Sequence, residues 1–133
     1  MYITLETDYA VRIVYCLAKE NKRMDAAEIS EKTDVTLRFS LKILRKLVGG
    51  GLVRSFKGVG GGYELAKPAA EISLKDVLEV IEGPYLISRC NGSEFDCPRK
   101  DSYPCVFHHI FQDISDEVNA KLARHTFDKL SKK

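Results

Sequence analysis

The stretch from Asp25 to Ala66, DAAEISEKTDVTLRFSLKILRKLVGGGLVRSFKGVGGGYELA, constrains the fold more than any other. Asp25 followed by Glu28 has the spacing of a capping box and predicts a short helix over 26–32. TDVT is a turn, in which Thr36 is a good N-cap for a second helix over about 37–48. Leu37, Leu41, Leu44, Leu47 and Val48 read as its buried stripe. The triple glycine at 49–51 ends that helix, because glycine takes the left-handed conformation cheaply. LVRSF and YELA then read as short strands around a KGVGGG turn, a wing over about 52–66. Two short helices joined by a tight turn and followed by a hairpin spell a winged helix-turn-helix.

The glycines invite comparison with a phosphate loop. A Walker-type loop needs Gly-Lys-Ser/Thr and then a helix, whereas Tyr63-Glu64-Leu65 follows here. Charge points to a different polyanion. Residues 35–63 hold Arg38, Lys42, Arg45, Lys46, Arg54 and Lys57 and no acid, in a chain whose formal net charge is only +2. A basic block in a near-neutral protein is the footprint of a nucleic-acid partner or a solvated face.

The flanking segments complete a mainly α chain with one small β-hairpin. Leu5, Tyr9, Ile13 and Leu17 repeat every four residues, giving a first helix with a wide apolar face. Cys16 lies close to that face and reads as a small buried hydrophobe. Ser73 and Asp76 cap a linker helix over about 74–82, which Gly83-Pro84 stops. From Cys105 onward, Phe107, Ile110, Phe111, Ile114, Val118 and Leu122 repeat at three and four. The pattern predicts a long helix over about 105–130, roughly 38 Å. A chain of 15.0 kDa cannot bury so long a helix alone, so a homodimer is expected. There is no internal repeat. The N-terminus lacks the basic and apolar regions of a signal peptide, and no apolar run is long enough to span a membrane. A cytoplasmic protein without membrane attachment is expected.

In such a compartment thiols stay reduced, so CNGSEFDCPRKDSYPC, with three of the four cysteines, reads as metal-binding or redox-active before it reads as a disulfide staple. Cys90, Cys97 and Cys105 are spaced more widely than the knuckles of structural zinc sites. Zinc, a thiol switch and no special role stay open beside an iron–sulfur cluster. A thiolate–imidazole enzyme built on Cys105, His108 and His109 lacks an orienting third residue and an oxyanion loop, so no enzyme and no small-molecule substrate are expected.

The stretch GGGLVRSFKGVGGGYELAKPAAEISLKDVLEVIEG closely resembles the signature of the Rrf-type winged-helix transcription regulators, and the resemblance extends over essentially the whole chain. It departs from the family at Val59, where a proline is common in the wing. The resemblance implies a DNA-binding region over 1–83, then a cysteine loop (about 88–105) and a dimerisation helix within 84–133. It implies a homodimeric repressor or activator on double-stranded operator DNA. Carried over, the recognition helix offers Thr36, Arg38, Phe39, Ser40, Lys42 and Arg45, and the wing offers Lys57, Gly58 and Gly60.

For the cysteines, the resemblance is to the IscR-like and NsrR-like cluster-binding branch. It implies an iron–sulfur cluster on Cys90, Cys97, Cys105 and His108, in which the histidine shares a helix face with Cys105. An alternative fourth ligand is Asp8 of the partner subunit. IscR-like 2Fe–2S redox sensing is the favoured reading. An NsrR-like 4Fe–4S nitric-oxide sensor and a cluster-free zinc or thiol switch are the alternatives.

Overall fold

The computed structural model describes residues 2–92 and 105–131. Helix α1 (Leu5–Glu20) runs through the centre, and α2 (Ala26–Thr33), α3 (Leu37–Gly49) and α4 (Leu74–Glu82) pack around it. Strands β1 (Val53–Phe56) and β2 (Gly62–Leu65) form an antiparallel hairpin, with Val53 opposite Leu65 and Phe56 opposite Gly62. Helix α5 (Val106–Ala123) and the one-turn α6 (Phe127–Leu130) follow. The mainly helical winged fold expected from the sequence is what the structure shows.

Local chemistry sets the boundaries. Thr4, Asp25, Thr36 and Ser73 each accept a backbone N–H three residues on, stopping the helices from unravelling at their N-termini. Ser73 and Asp76 form a complete capping box. Asn21 and Asp34 end α1 and α2 in the left-handed conformation, which their short polar side chains tolerate. In the wing, Gly62 has φ +141°, and a Cβ there would lie 2.6 Å from the Met24 carbonyl oxygen. Only glycine lets β2 approach so closely, and Met24 and Tyr63 exchange backbone hydrogen bonds of 2.9 and 2.7 Å. The wing is thereby tied to the α1–α2 connection.

The core is made by Ala10, Ile13, Val14 and Leu17 of α1 against Ile29, Ile43, Leu44, Leu47, Val53 and Val77. Cys16 is buried with them. Burial pushes the Cys16 thiol up from its ordinary pKa, with nearby Glu20 adding to the effect.

Two expectations need correction. The buried stripe of α3 is Ser40, Ile43, Leu44 and Leu47, while Leu37 and Leu41 are exposed. Both readings share Leu44 and Leu47. The choice of stripe is made by α1 and α2, whose positions the periodicity of α3 does not contain. The long C-terminal helix also ends at Ala123, about 27 Å from its start, and not near Leu130. After it the chain turns back: Leu74 N–H donates to His125 O (2.9 Å) and Phe127 N–H to Ile72 O (3.0 Å). Phe127 is fully buried, and sinking its ring into the core outweighs one more turn of solvated helix.

Candidate nucleic-acid interface and cysteine site

Because α3 buries 40, 43, 44 and 47, its 3.6-residue period turns Arg38, Lys42 and Arg45 to the opposite side, where all three are exposed. Thr36 is exposed at the helix start, and its hydroxyl accepts the Phe39 N–H at 3.3 Å. Phe39 leans edge-on against Tyr9 of α1, ring centroids 5.8 Å apart, and is still 42% exposed. Ser40 is a correction: it is fully buried, and its hydroxyl donates to Val35 O at 3.4 Å. It cannot reach a phosphate, since its small side chain fills the tight junction between α2 and α3.

At the wing tip Lys57, Gly58, Val59 and Gly60 are all exposed. Gly58 and Gly60 have φ of +80° and +78°, which shapes the turn closed by Gly61 N–H donating to Gly58 O. Sequence reasoning missed the residue that holds this tip. Arg23 stacks on the Phe56 ring 3.4 Å from its centroid, donates to Gly60 O at 3.3 Å and pairs with Glu64 at 3.2 Å. Glu6 of α1 was missed as well. Its carboxylate lies 2.7 Å from the Lys46 ammonium and 3.7 Å from that of Lys42. The Lys46 hydrogen bond holds the Glu6 carboxyl below the usual glutamate range, against a smaller opposing effect of burial. Neither partnership shows in sequence, because each joins elements about 40 residues apart.

Cys97 lies outside the described residues. Cys90 sits in a single 3₁₀ turn, Arg89–Asn91, with its sulfur 3.2 Å from Ser88 Oγ. Cys105 is the N-cap residue of α5, and His108 is in that helix's first turn. The two parts are tied together, since Asn91 Nδ2 donates to His108 O at 3.4 Å. Asn91 Oδ1 is buried and has no partner among the described residues. Cys90, Cys105 and His108 are each half-buried. Two thiols and an imidazole are suitable donors for iron or zinc. Among the described residues, no three His, Cys, Asp or Glu side chains converge closely enough to hold a metal ion by themselves. Asp8 is on α1 and pairs with Arg12 at 2.9 Å.

The segment leading to Cys90 is fixed to α5 and to the helical core. Ile87 N–H donates to Ser115 Oγ (3.0 Å), the one fully buried side chain of α5. Asn119 Nδ2 donates to Tyr85 O (3.1 Å). One step earlier, Glu82 at the end of α4 accepts from the buried Thr7 hydroxyl and from Thr4 N–H at the start of α1. The backbone from Glu82 to Ile87 thus joins the cysteine turn to α1 and α5, bonded to α1 at Glu82 and to α5 at Tyr85 and Ile87, and α1 touches α3 through Tyr9–Phe39 and Glu6–Lys46.

Comparison with known proteins supplies the class of molecule. The Rrf2 family, described as iron-dependent transcriptional regulators, matches residues 3–133. Protein aau3 of Rhizobium meliloti is 36% identical over 134 residues, covering 99% of this chain and 86% of that protein. The HTH-type transcriptional regulator IscR of Pectobacterium carotovorum is 32% identical over 132 residues, 98% of this chain and 79% of its own. Among solved structures, CymR, the global cysteine regulator of B. subtilis, superposes with a TM-score of 0.77 over 98% of this chain and 96% of that one. At 24% identity that likeness speaks for the fold alone. No helix among the described residues is long and apolar enough to cross a membrane.

Proposed function

The chain belongs to the Rrf2 family of transcriptional regulators, and we propose that it acts as a homodimer whose binding to double-stranded operator DNA is governed by an iron–sulfur cluster. The family and the IscR relative are described as transcriptional regulators, which speaks against an enzyme. Residues 1–83 form the DNA-binding region, and 84–133 form the sensing and dimerisation region. The observation that carries the DNA half is the exposed basic side of α3 beside a pinned wing. Each protomer sets the N-terminal half of α3 in a major groove. There Arg38 reaches base edges, Thr36, Lys42 and Arg45 reach phosphates, and Phe39 packs at the groove wall. The wing tip, Lys57 to Gly60, lies along the flanking minor groove. The dimer is supported by the apolar side of α5, where Val106 (61%), Phe107 (62%) and Ile110 (47%) are exposed in the single chain.

For the cluster, the reading assigns Cys90, Cys97, Cys105 and His108 as ligands, with 2Fe–2S as the favoured type. Support comes from the donor chemistry and from the Asn91–His108 bond, which keeps the Cys90 turn beside the start of α5. Asp8 of the partner subunit is the alternative fourth ligand, with a 4Fe–4S centre. When bound, the group supplies a coordination and charge state that answers to iron supply, oxidants or nitric oxide. The chain's own residues convert that state into DNA affinity. A shift of the Cys90 turn pulls on the Ile87–Ser115 and Tyr85–Asn119 bonds and so on the junction of α4 with α5. Glu82 passes the strain to Thr7 and α1, which carries α3. Two recognition helices must fit half-sites about one helical turn apart, so a small tilt costs specific affinity.

The test is iron and acid-labile sulfide per monomer, with the visible spectrum, on protein purified without oxygen. Near-equal iron and sulfide with charge-transfer bands is the expected result. Colourless protein that takes up only zinc, or no metal after reconstitution, would overturn the cluster reading. It would leave a DNA-binding zinc or thiol switch.

A further inference from the structure

The proposed recognition helix carries an apolar feature that its charge does not explain. Leu37 and Leu41 lie one turn apart and are 46% and 43% exposed. Leu41 has Arg38 three residues before it and Arg45 four residues after it, so both cations are its neighbours on the helix surface. A leucine set among exposed cations is a poor seat for another protein's apolar face, because those cations would have to lose their water. It fits a surface that is mostly anionic and carries isolated methyl groups. A major groove has that chemistry: phosphates line its edges, and the one apolar group on the unmodified base pairs is the C5-methyl of thymine.

We propose that Leu41, with Leu37 beside it, reads thymine methyl groups in the major groove, so that the operator half-site carries thymines at the positions facing the first two turns of α3. The inference rests on the DNA-binding reading above and names the base chemistry that site selects. Arg38 and Arg45 neutralise phosphates or grip a guanine edge on either side, while the leucines exclude water from the methyls between them. A cytosine at such a position presents an amino group to leucine, which leaves that donor without a partner.

The test starts from a duplex selected from a random library with the intact, anaerobically purified protein. Each thymine of the selected duplex is replaced singly by uracil, which removes only the methyl and keeps every hydrogen-bonding group. Affinities are read by fluorescence anisotropy at fixed salt. Uracil at one or two positions of each half-site should weaken binding, by up to about fourfold per methyl. Leu41→Ala and Leu37→Ala should each bind thymine and uracil duplexes alike at the position that the replaced side chain covers. Both side chains are nearly half exposed, so thermal melts should fall by only a few degrees and both variants should stay folded. Arg38→Ala should weaken both duplexes by the same factor. Equal wild-type affinity for thymine and uracil duplexes at every position would overturn the inference. Discrimination surviving at every position in both leucine variants would also overturn it, by placing the methyl sensor elsewhere. Recovery of no duplex at all would overturn the operator reading itself, and this inference with it.

Discussion

The Glu6 pairs with Lys46 and Lys42 predict an electrostatic limit on the proposed DNA binding, which one substitution tests. Glu6→Gln keeps the size of the side chain and removes the charge that holds Lys46 at 2.7 Å and Lys42 at 3.7 Å. All three groups are partly solvated, with side-chain exposures of 25%, 39% and 58% for Glu6, Lys46 and Lys42. The pairs therefore contribute roughly 0.3–1 kcal/mol to stability, and the variant should melt only about 1–4 °C lower. The glutamate's folded pKa is lowered, so its stabilising contribution is complete above the ordinary glutamate pKa. It is lost as pH falls through the folded value, so wild type and variant should converge in stability in acid. Duplex binding should change in the opposite direction. Each lysine released to a phosphate steepens the plot of log affinity against log salt by about 0.9. Lowering salt from roughly 200 to 50 mM should then give the variant an extra three- to fourfold gain per lysine, or about tenfold if both engage. Anisotropy titrations of one duplex at four salt concentrations measure this directly. A lower melting temperature with an unchanged slope would make Glu6 a strut between α1 and α3 with no hold over the lysines' phosphate contacts. A shallower slope would show that the carboxylate aims the lysines at phosphate.

Other variants probe the remaining links. Arg23→Ala removes the stack on Phe56, the bond to Gly60 O and the Glu64 pair. It should cost about 1 kcal/mol of stability and erase hydroxyl-radical protection in the flanking minor groove, leaving major-groove protection in place. Ser115→Ala leaves the Ile87 N–H without its acceptor. It should destabilise by about 1–3 kcal/mol and shrink the difference in operator affinity between cluster-loaded and cluster-free protein. Phe127→Ala empties a fully buried site and should cost about 3–5 kcal/mol in a urea melt, since α6 is what returns the C-terminus to the core. In folded, cluster-free protein Cys16 should react with iodoacetamide more slowly than Cys90 and Cys105, because it is buried and its pKa is raised.

What was legible in the sequence was what local chemistry decides. Asp25, Thr36 and Ser73 announced helix starts, and the glycine runs announced the end of α3 and the wing turn, because caps and turns depend on a few adjacent residues. The faces of α3 were less legible. A stripe of leucines and the stripe Ser40, Ile43, Leu44 and Leu47 satisfy the same periodicity, and only the docking of α1 and α2 decides that Ser40 goes inside. The end of α5 was misjudged for a similar reason. Nothing next to Ala123 forbids another helical turn, and the decisive energy is Phe127 meeting Ile72 and α1 from far away in sequence. At the candidate site, Arg38, Lys42, Arg45 and Lys57 were readable as a charge block. Arg23 and Glu6 were not, because their importance lies in partners that only the tertiary fold supplies.

Under the proposed function, the state of the cysteine site governs the grip on DNA. That dependence is tested most directly by measuring the affinity of one selected operator for cluster-loaded protein and for the same preparation after chelation, without oxygen and at fixed salt. The expected affinities lie at least tenfold apart, with a gap that narrows in Ser115→Ala. Equal affinities for the loaded and stripped forms, with both folded and dimeric, would contradict it.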